Sequence, residues 1–273
     1  MQVETVADAT PADMSEYVRA EPKRRGASGE MPYQLTVRRG FGAFAVLFGS
    51  QFFIGILVSV LFEFVGVAYD IPSLASQNMP LVMAMSLGLS SLVTYLWVRA
   101  DMGRFGPTFA PQIGLRPSRL DRGQTVVLIL GVFLMTRVLA GLYATALEGG
   151  MPGSMPRGGA EQIFDQAAAT GAAAATILMF LLASFVAPII EEVVFRGYLQ
   201  SALRRRIPAW GAITVAALVF AAIHGSLILL PLYFIIGAGL GYVYERTASI
   251  YAAIGLHMLN NVIFSIFVVA GWA

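Results

Sequence analysis

Cysteine is absent from all 273 residues, which excludes disulfides, thiolate metal sites and a cysteine nucleophile. Lysine occurs once, at Lys23, and histidine twice, at His224 and His257. Charged residues make up 12% of the chain, against about 25% in an ordinary soluble domain. So little charge cannot cover a water-facing surface, so a soluble globular protein is excluded. What is there instead is apolar: 57% of residues are hydrophobic and the mean hydropathy is +0.72. The net charge of +2 rests almost entirely on arginine. Those arginines gather at the ends of apolar runs, so they report topology and lipid headgroups, and no nucleic-acid partner is expected.

A hydrocarbon core of about 30 Å takes about 20 helical residues to cross. Seven runs fit, predicting an all-α, polytopic membrane bundle of about seven transmembrane helices. Residues 1–40 are polar and of mixed charge, and read as a disordered cytoplasmic tail. Their acidic start is not that of a cleavable signal peptide. Residues 41–170 hold three spans, at about 41–67, 80–98 and 124–147. A Gly-, Pro- and Met-rich loop with a short surface helix is expected over 148–170. Residues 171–270 hold four more spans, at about 171–203, 209–224, 226–244 and 250–269. Arg99, Arg104, Arg116, Arg119, Arg122, the triplet Arg204-Arg205-Arg206 and Arg246 all fall on one side. The positive-inside rule then places the N-terminus in the cytoplasm. Trp97, Trp210 and Trp272 fall at span ends, as interfacial anchors should. Gly237 and Gly241 form a GxxxG for close helix packing. The compact chain, with no organelle-targeting segment, points to a prokaryotic plasma membrane.

The fourth span carries Pro188-Ile-Ile-Glu191-Glu192-Val-Val-Phe-Arg196. A charge at bilayer depth costs several kcal/mol and is rare without a task. Successive helical residues lie about 100° apart, so the two glutamates face different ways. Glu192 and Arg196, at i and i+4, can pair. Glu191 is left free for chemistry, and Pro188 favours a kink one turn before it. Glu191 lies 13 residues from Arg204, about 20 Å along a helix. His224 lies 16 residues from Pro208 and His257 8 from Ser249, about 24 and 12 Å. Asn261 shares the face of His257, while Phe220 precedes His224 by one turn. Glutamate with two imidazoles can activate a water for attack on a carbonyl, and imidazole with amide can stabilise an oxyanion. Glu191, His224 and His257 could equally ligate a zinc or another divalent ion. Both readings stay open, a metal or none.

Glu191-Glu192-x-x-x-Arg196, Phe220-x-x-x-His224 and His257-x-x-x-Asn261 together resemble the three-motif signature of the CPBP family. These are the CAAX-processing type II and bacteriocin-processing (Abi) intramembrane endopeptidases, and the resemblance covers about residues 171–269. It implies a helical core with an intramembrane cavity and a membrane-associated peptide or protein as substrate. It casts Glu191 as water-activating base, His224 as its assistant, and His257 with Asn261 as oxyanion stabilisers, or His257 as a metal ligand. Glu192, Arg196 and Phe220 would shape the site. Two other classes fit the composition: a proton-coupled transporter using Glu191 and the histidines as a relay, and a non-catalytic scaffold or immunity protein.

Overall fold

The computed structural model describes residues 34–148 and 173–269. The expected tail up to Tyr33 and almost all of the 148–170 loop, with Trp272, lie outside the described residues. Thr36 opens the first helix, its Oγ1 accepting from the Arg39 backbone N–H at 3.2 Å, so the helix starts before the boundary near 41 that hydropathy marked.

Every described element is helical. Helix α1 spans Val37–Ala68, the one-turn α2 Leu74–Gln77, α3 Met79–Phe105 and α4 Arg122–Glu148. Helix α5 is one rod from Ala173 to Leu203 whose winding changes four times. Helices α6, α7 and α8 span Ala209–Ile223, Leu230–Thr247 and Ile250–Val269. All seven expected helices are present, but only five, α1, α3, α4, α5 and α8, are long and apolar enough to cross a membrane alone. The other two are α6, with 15 residues, and α7, with 18 and with Glu245 and Arg246 in its last turn. At 1.5 Å per residue these reach about 22 and 27 Å, short of a 30 Å core.

Helix α5 is the centre of the bundle. It packs against α1 and α3 on one side and α6, α7 and α8 on the other, with α4 outside α7 and α8. Small residues permit this. A Cβ at Gly40 of α1 would come within 3.1 Å of the Leu199 Cα, and one at Gly197 within 3.0 Å of the Ile113 carbonyl oxygen. Polar groups fix the cytoplasmic-type end. Arg39 pairs with Asp101 at 3.3 Å, and Tyr198 Oη donates to Asp101 at 3.1 Å. Arg204 pairs with Glu245 at 2.8 Å. The segment between α3 and α4 clasps the α7–α8 turn: Arg116 Nε donates to the Ala248 carbonyl, Ser249 Oγ to the Arg116 carbonyl, and the Ile250 N–H to the Gly114 carbonyl. Gly114 has φ +76°, and a Cβ there would lie 2.5 Å from the Tyr244 ring, so glycine is required on both counts.

Two tryptophans were expected at interfaces. Trp210 opens α6 and is exposed, stacked on Tyr242. Trp97 lies two turns inside α3 and packs its ring 5.5 Å from that of Tyr198. The helix runs on past Val98 because Asp101 finds its partners in Arg39 and Tyr198.

Candidate active site

The local winding of α5 decides where its charges point. Residues Leu182–Val186 and Val193–Gln200 are π-helical, with α-helix over Ala187–Glu192 between them. In the first π segment the Ala187 N–H bonds the Leu182 carbonyl, five residues back. The next bond in that register would run from residue 188 to the Ala183 carbonyl, but Pro188 has no N–H. Asn261 Nδ2 donates to that carbonyl at 2.9 Å. The proline, the bulge and the asparagine are therefore one device joining α8 to α5. Ser184 and Ser265 add a buried hydroxyl contact at 3.3 Å on the same seam.

One turn on, Glu192 and Arg196 are both fully buried, and Arg196 Nη1 donates to Glu192 Oε1 at 2.9 Å. Arg196 Nη2 donates to the Gly237 carbonyl at 2.8 Å, and Gln200 Nε2 to the Gly241 carbonyl at 3.0 Å. Both glycines of the GxxxG thus present carbonyls to α5. A Cβ at Gly237 would meet Phe220 at 3.1 Å and Ala217 at 3.2 Å, and one at Gly241 would meet Gln200 at 2.8 Å.

His257 lies between the two carboxylates. Its Nδ1 is 2.8 Å from Glu192 Oε1 and its Nε2 3.9 Å from Glu191 Oε2. A carboxylate accepts only, so Nδ1 carries the proton and Nε2 is the atom turned to Glu191. The Glu191 side chain keeps 18% of its surface exposed where Glu192 keeps none. The firm partner of His257 is therefore Glu192, and Glu191 is the open carboxylate beside it.

His224 caps the C-terminus of α6. Its Nδ1 is 2.7 Å from the Phe220 carbonyl and so donates to it, leaving Nε2 as the free ring nitrogen. Its ring stacks on Tyr233 at 4.1 Å. Phe220 is the spacer of the site, with ring centroids 4.7 Å from His224, 5.8 Å from His257 and 5.3 Å from Phe195, and the Arg196 guanidinium 5.1 Å away. Asn260, a neighbour of the motif face, donates to Asn261 Oδ1 at 3.2 Å.

All seven candidate residues thus converge where α5, α6 and α8 meet, with Tyr233 and the Gly237 carbonyl of α7 at the edge. The winding of α5 was not legible beforehand, nor was Tyr233, an aromatic at ordinary core spacing. Arg137 was missed too, although an arginine inside an apolar run is a plain signal. As for a metal, each histidine commits Nδ1 and leaves Nε2, which suits ligation. Yet no three carboxylate or imidazole groups among the described residues stand close enough to share an ion. Glu191 and His257 approach each other while His224 is held apart by Phe220. This donor set does not fit a three-residue metal site.

Residues 173–263 match the family described as type II CAAX prenyl endopeptidase, Rce1-like. This part of the chain belongs to the CPBP family. The match takes in Glu191 through Asn261, and leaves α1 to α4 outside it. A Bacillus subtilis (strain 168) protein named "Putative membrane peptidase YdiL" is 32% identical over 84 residues, 31% of this chain and 34% of that protein. The aligned stretch thus spans about a third of the relative's length. No solved structure matches the chain. The CPBP core is accordingly placed by sequence, and its polar network by the contacts above.

Proposed function

We propose that the chain is an intramembrane endopeptidase of CAAX type, hydrolysing a peptide bond of a membrane-associated peptide or protein with a glutamate-activated water. The observation that supports this best is the unequal pair Glu191 and Glu192 around His257. One carboxylate is neutralised by Arg196 and holds the imidazole; the other is open beside His257 Nε2. In this reading a water between Glu191 and the substrate carbonyl loses a proton to Glu191 as its oxygen bonds to the carbonyl carbon. The free Nε2 of His224 orients that water. The tetrahedral oxyanion is met by His257 and by the second N–H of Asn261 Nδ2. On collapse the C–N bond breaks and Glu191 returns the proton to the leaving amine.

No step needs a metal, and the donor geometry favours none; activity that survives a strong chelator would agree with this. Glu191→Gln keeps the shape and removes the base. It should lower cleavage of a prenylated CAAX peptide in purified protein by about two to four orders of magnitude. A Glu191→Gln protein that cleaves at the wild-type rate would end the reading. A prokaryotic plasma membrane remains the proposed location.

A further inference from the structure

Arg137 sits in the middle of α4, whose stretch Arg122–Leu147 is one of the five helices apolar enough to span a membrane. It is 15 residues from one end of that stretch and 10 from the other, about 22 and 15 Å along the helix. Arginine stays charged in proteins, so it cannot escape the apolar surroundings by losing a proton. Neither membrane surface is within reach of its side chain. Its one aromatic neighbour, Phe133, has its ring centroid 5.7 Å from Cζ, near the outer limit of a cation–π contact of about 6 Å.

The guanidinium is also unsatisfied in a specific way. Nε and Nη2 are buried with no hydrogen-bond partner. These two nitrogens form one edge of the planar fork, the edge that takes both oxygens of an oxyanion side-on. Arg196 differs, since its two terminal nitrogens are engaged by Glu192 and Gly237. Arg137 belongs to the face of α4 that packs on α7 and α8: Thr136 is what a Cβ at Gly239 would strike at 2.8 Å, and Ile129 lies against Gly255. Gly239 is two residues from Gly237, and Gly255 two from His257. Arg137 and Glu191 are each about 20 Å from the arginine-bearing ends of their helices.

We propose that Arg137 binds an oxyanion, and that this is the free carboxylate at the C-terminus of the substrate. The inference rests on the CAAX endopeptidase reading: a CAAX motif ends its chain, so three residues past the prenylated cysteine the peptide carries a carboxylate. Three extended residues span about 10 Å, a helix width, which would bridge the depth shared by Glu191 and the unpaired fork. A phospholipid phosphate offers the same chemistry, but it resides at the headgroups, whereas Arg137 is near mid-span. A carboxylate drawn into the bundle with the substrate fits that depth.

The test uses the full chain in nanodiscs of zwitterionic lipid. The probe is a farnesylated peptide ending in Cys-aliphatic-aliphatic-Met, made once as the free acid and once as the C-terminal amide. Equilibrium binding to wild type should favour the acid by about 10- to 100-fold, the scale of a hydrogen-bonded charge. Arg137→Gln should abolish that preference by weakening acid binding and leaving amide binding unchanged. Arg137→Lys, which keeps the charge and loses the fork, should retain only part of it. Equal binding of acid and amide to wild type overturns the proposal without any variant having to fold. So does loss of both ligands together in Arg137→Gln. If anionic lipid added to the nanodisc displaces the acid-specific binding, the fork is a lipid phosphate site and the peptide assignment falls. Cleavage is measured separately: a wild-type protein that prefers the acid through Arg137 but never cleaves it would refute the endopeptidase reading and leave the Arg137 site standing.

Discussion

At the scale of single residues, the two adjacent glutamates should respond oppositely to substitution. Glu191 is partly open and makes no hydrogen bond shorter than its 3.9 Å approach to His257. Glu191→Gln should therefore leave thermal unfolding of the purified protein nearly unmoved while removing activity. Glu192 is fully buried and holds both Arg196 and His257. Glu192→Ala strands a buried guanidinium and should cost about 3–5 kcal/mol, read as a drop in the unfolding midpoint. A pair that loses stability equally would mean that the roles are not divided. Sequence reasoning could reach this division because i,i+4 spacing pairs Glu192 with Arg196 whatever the surroundings. It could not tell which glutamate His257 would take, since that depends on the rotation of α5. Arg137 was legible as a charge in an apolar run, but its empty fork edge shows only once neighbouring helices are placed.

At the scale of elements, the π segment before Pro188 makes a prediction that a simple kink does not. Proline leaves the Ala183 carbonyl without its backbone donor, and Asn261 supplies one from α8. Asn261→Ala alone should cost about 1–3 kcal/mol by orphaning a buried acceptor. In a Pro188→Ala background the chain regains an N–H at that position, so the same change should cost less. The double-mutant cycle should show a coupling of about 0.5–3 kcal/mol. A coupling of zero would mean that Asn261 and Pro188 act independently and that the bulge has another cause. The GxxxG of α7 is similarly constrained. A methyl at Gly237 meets the Phe220 ring and the Ala217 backbone, so Gly237→Ala should destabilise by about 1–3 kcal/mol. It should also depress activity beyond what stability explains, because Phe220 spaces His224 from His257. Helix identity and order were legible from apolar runs of about 20 residues. The α/π alternation was not, because it arises from one missing N–H and a partner 78 residues away.

At the scale of the whole molecule, the short helices α6 and α7 raise the question of what crosses the bilayer. Hydropathy favoured seven crossings, whereas length and apolarity support five. The two helices form an antiparallel hairpin, so whether it crosses changes nothing about the sidedness of α8. Only the hairpin's own turn can decide. Tyr143 Oη donates to the Ile228 carbonyl at 2.6 Å, and Tyr143 is four residues from Leu147, the far end of a helix that is long enough to span. That places the turn about 6 Å short of the end of α4. A bilayer thinned by a few ångströms at the hairpin would then bring the turn to water, at a cost of fractions of a kcal/mol per ångström. The lack of native cysteine makes this directly measurable, because any thiol introduced is the only one. Cysteine at Thr108, in the exposed segment between α3 and α4, should react with a membrane-impermeant maleimide only in inverted vesicles, if the arginine-rich end is cytoplasmic. Cysteines at Ile71 and Leu227, both exposed, should react in intact cells. Labelling of residue 71 but not 227 from outside would mean that α6 and α7 dip into the membrane without crossing, leaving His224 at the floor of a re-entrant hairpin and the site reachable from the cytoplasm alone.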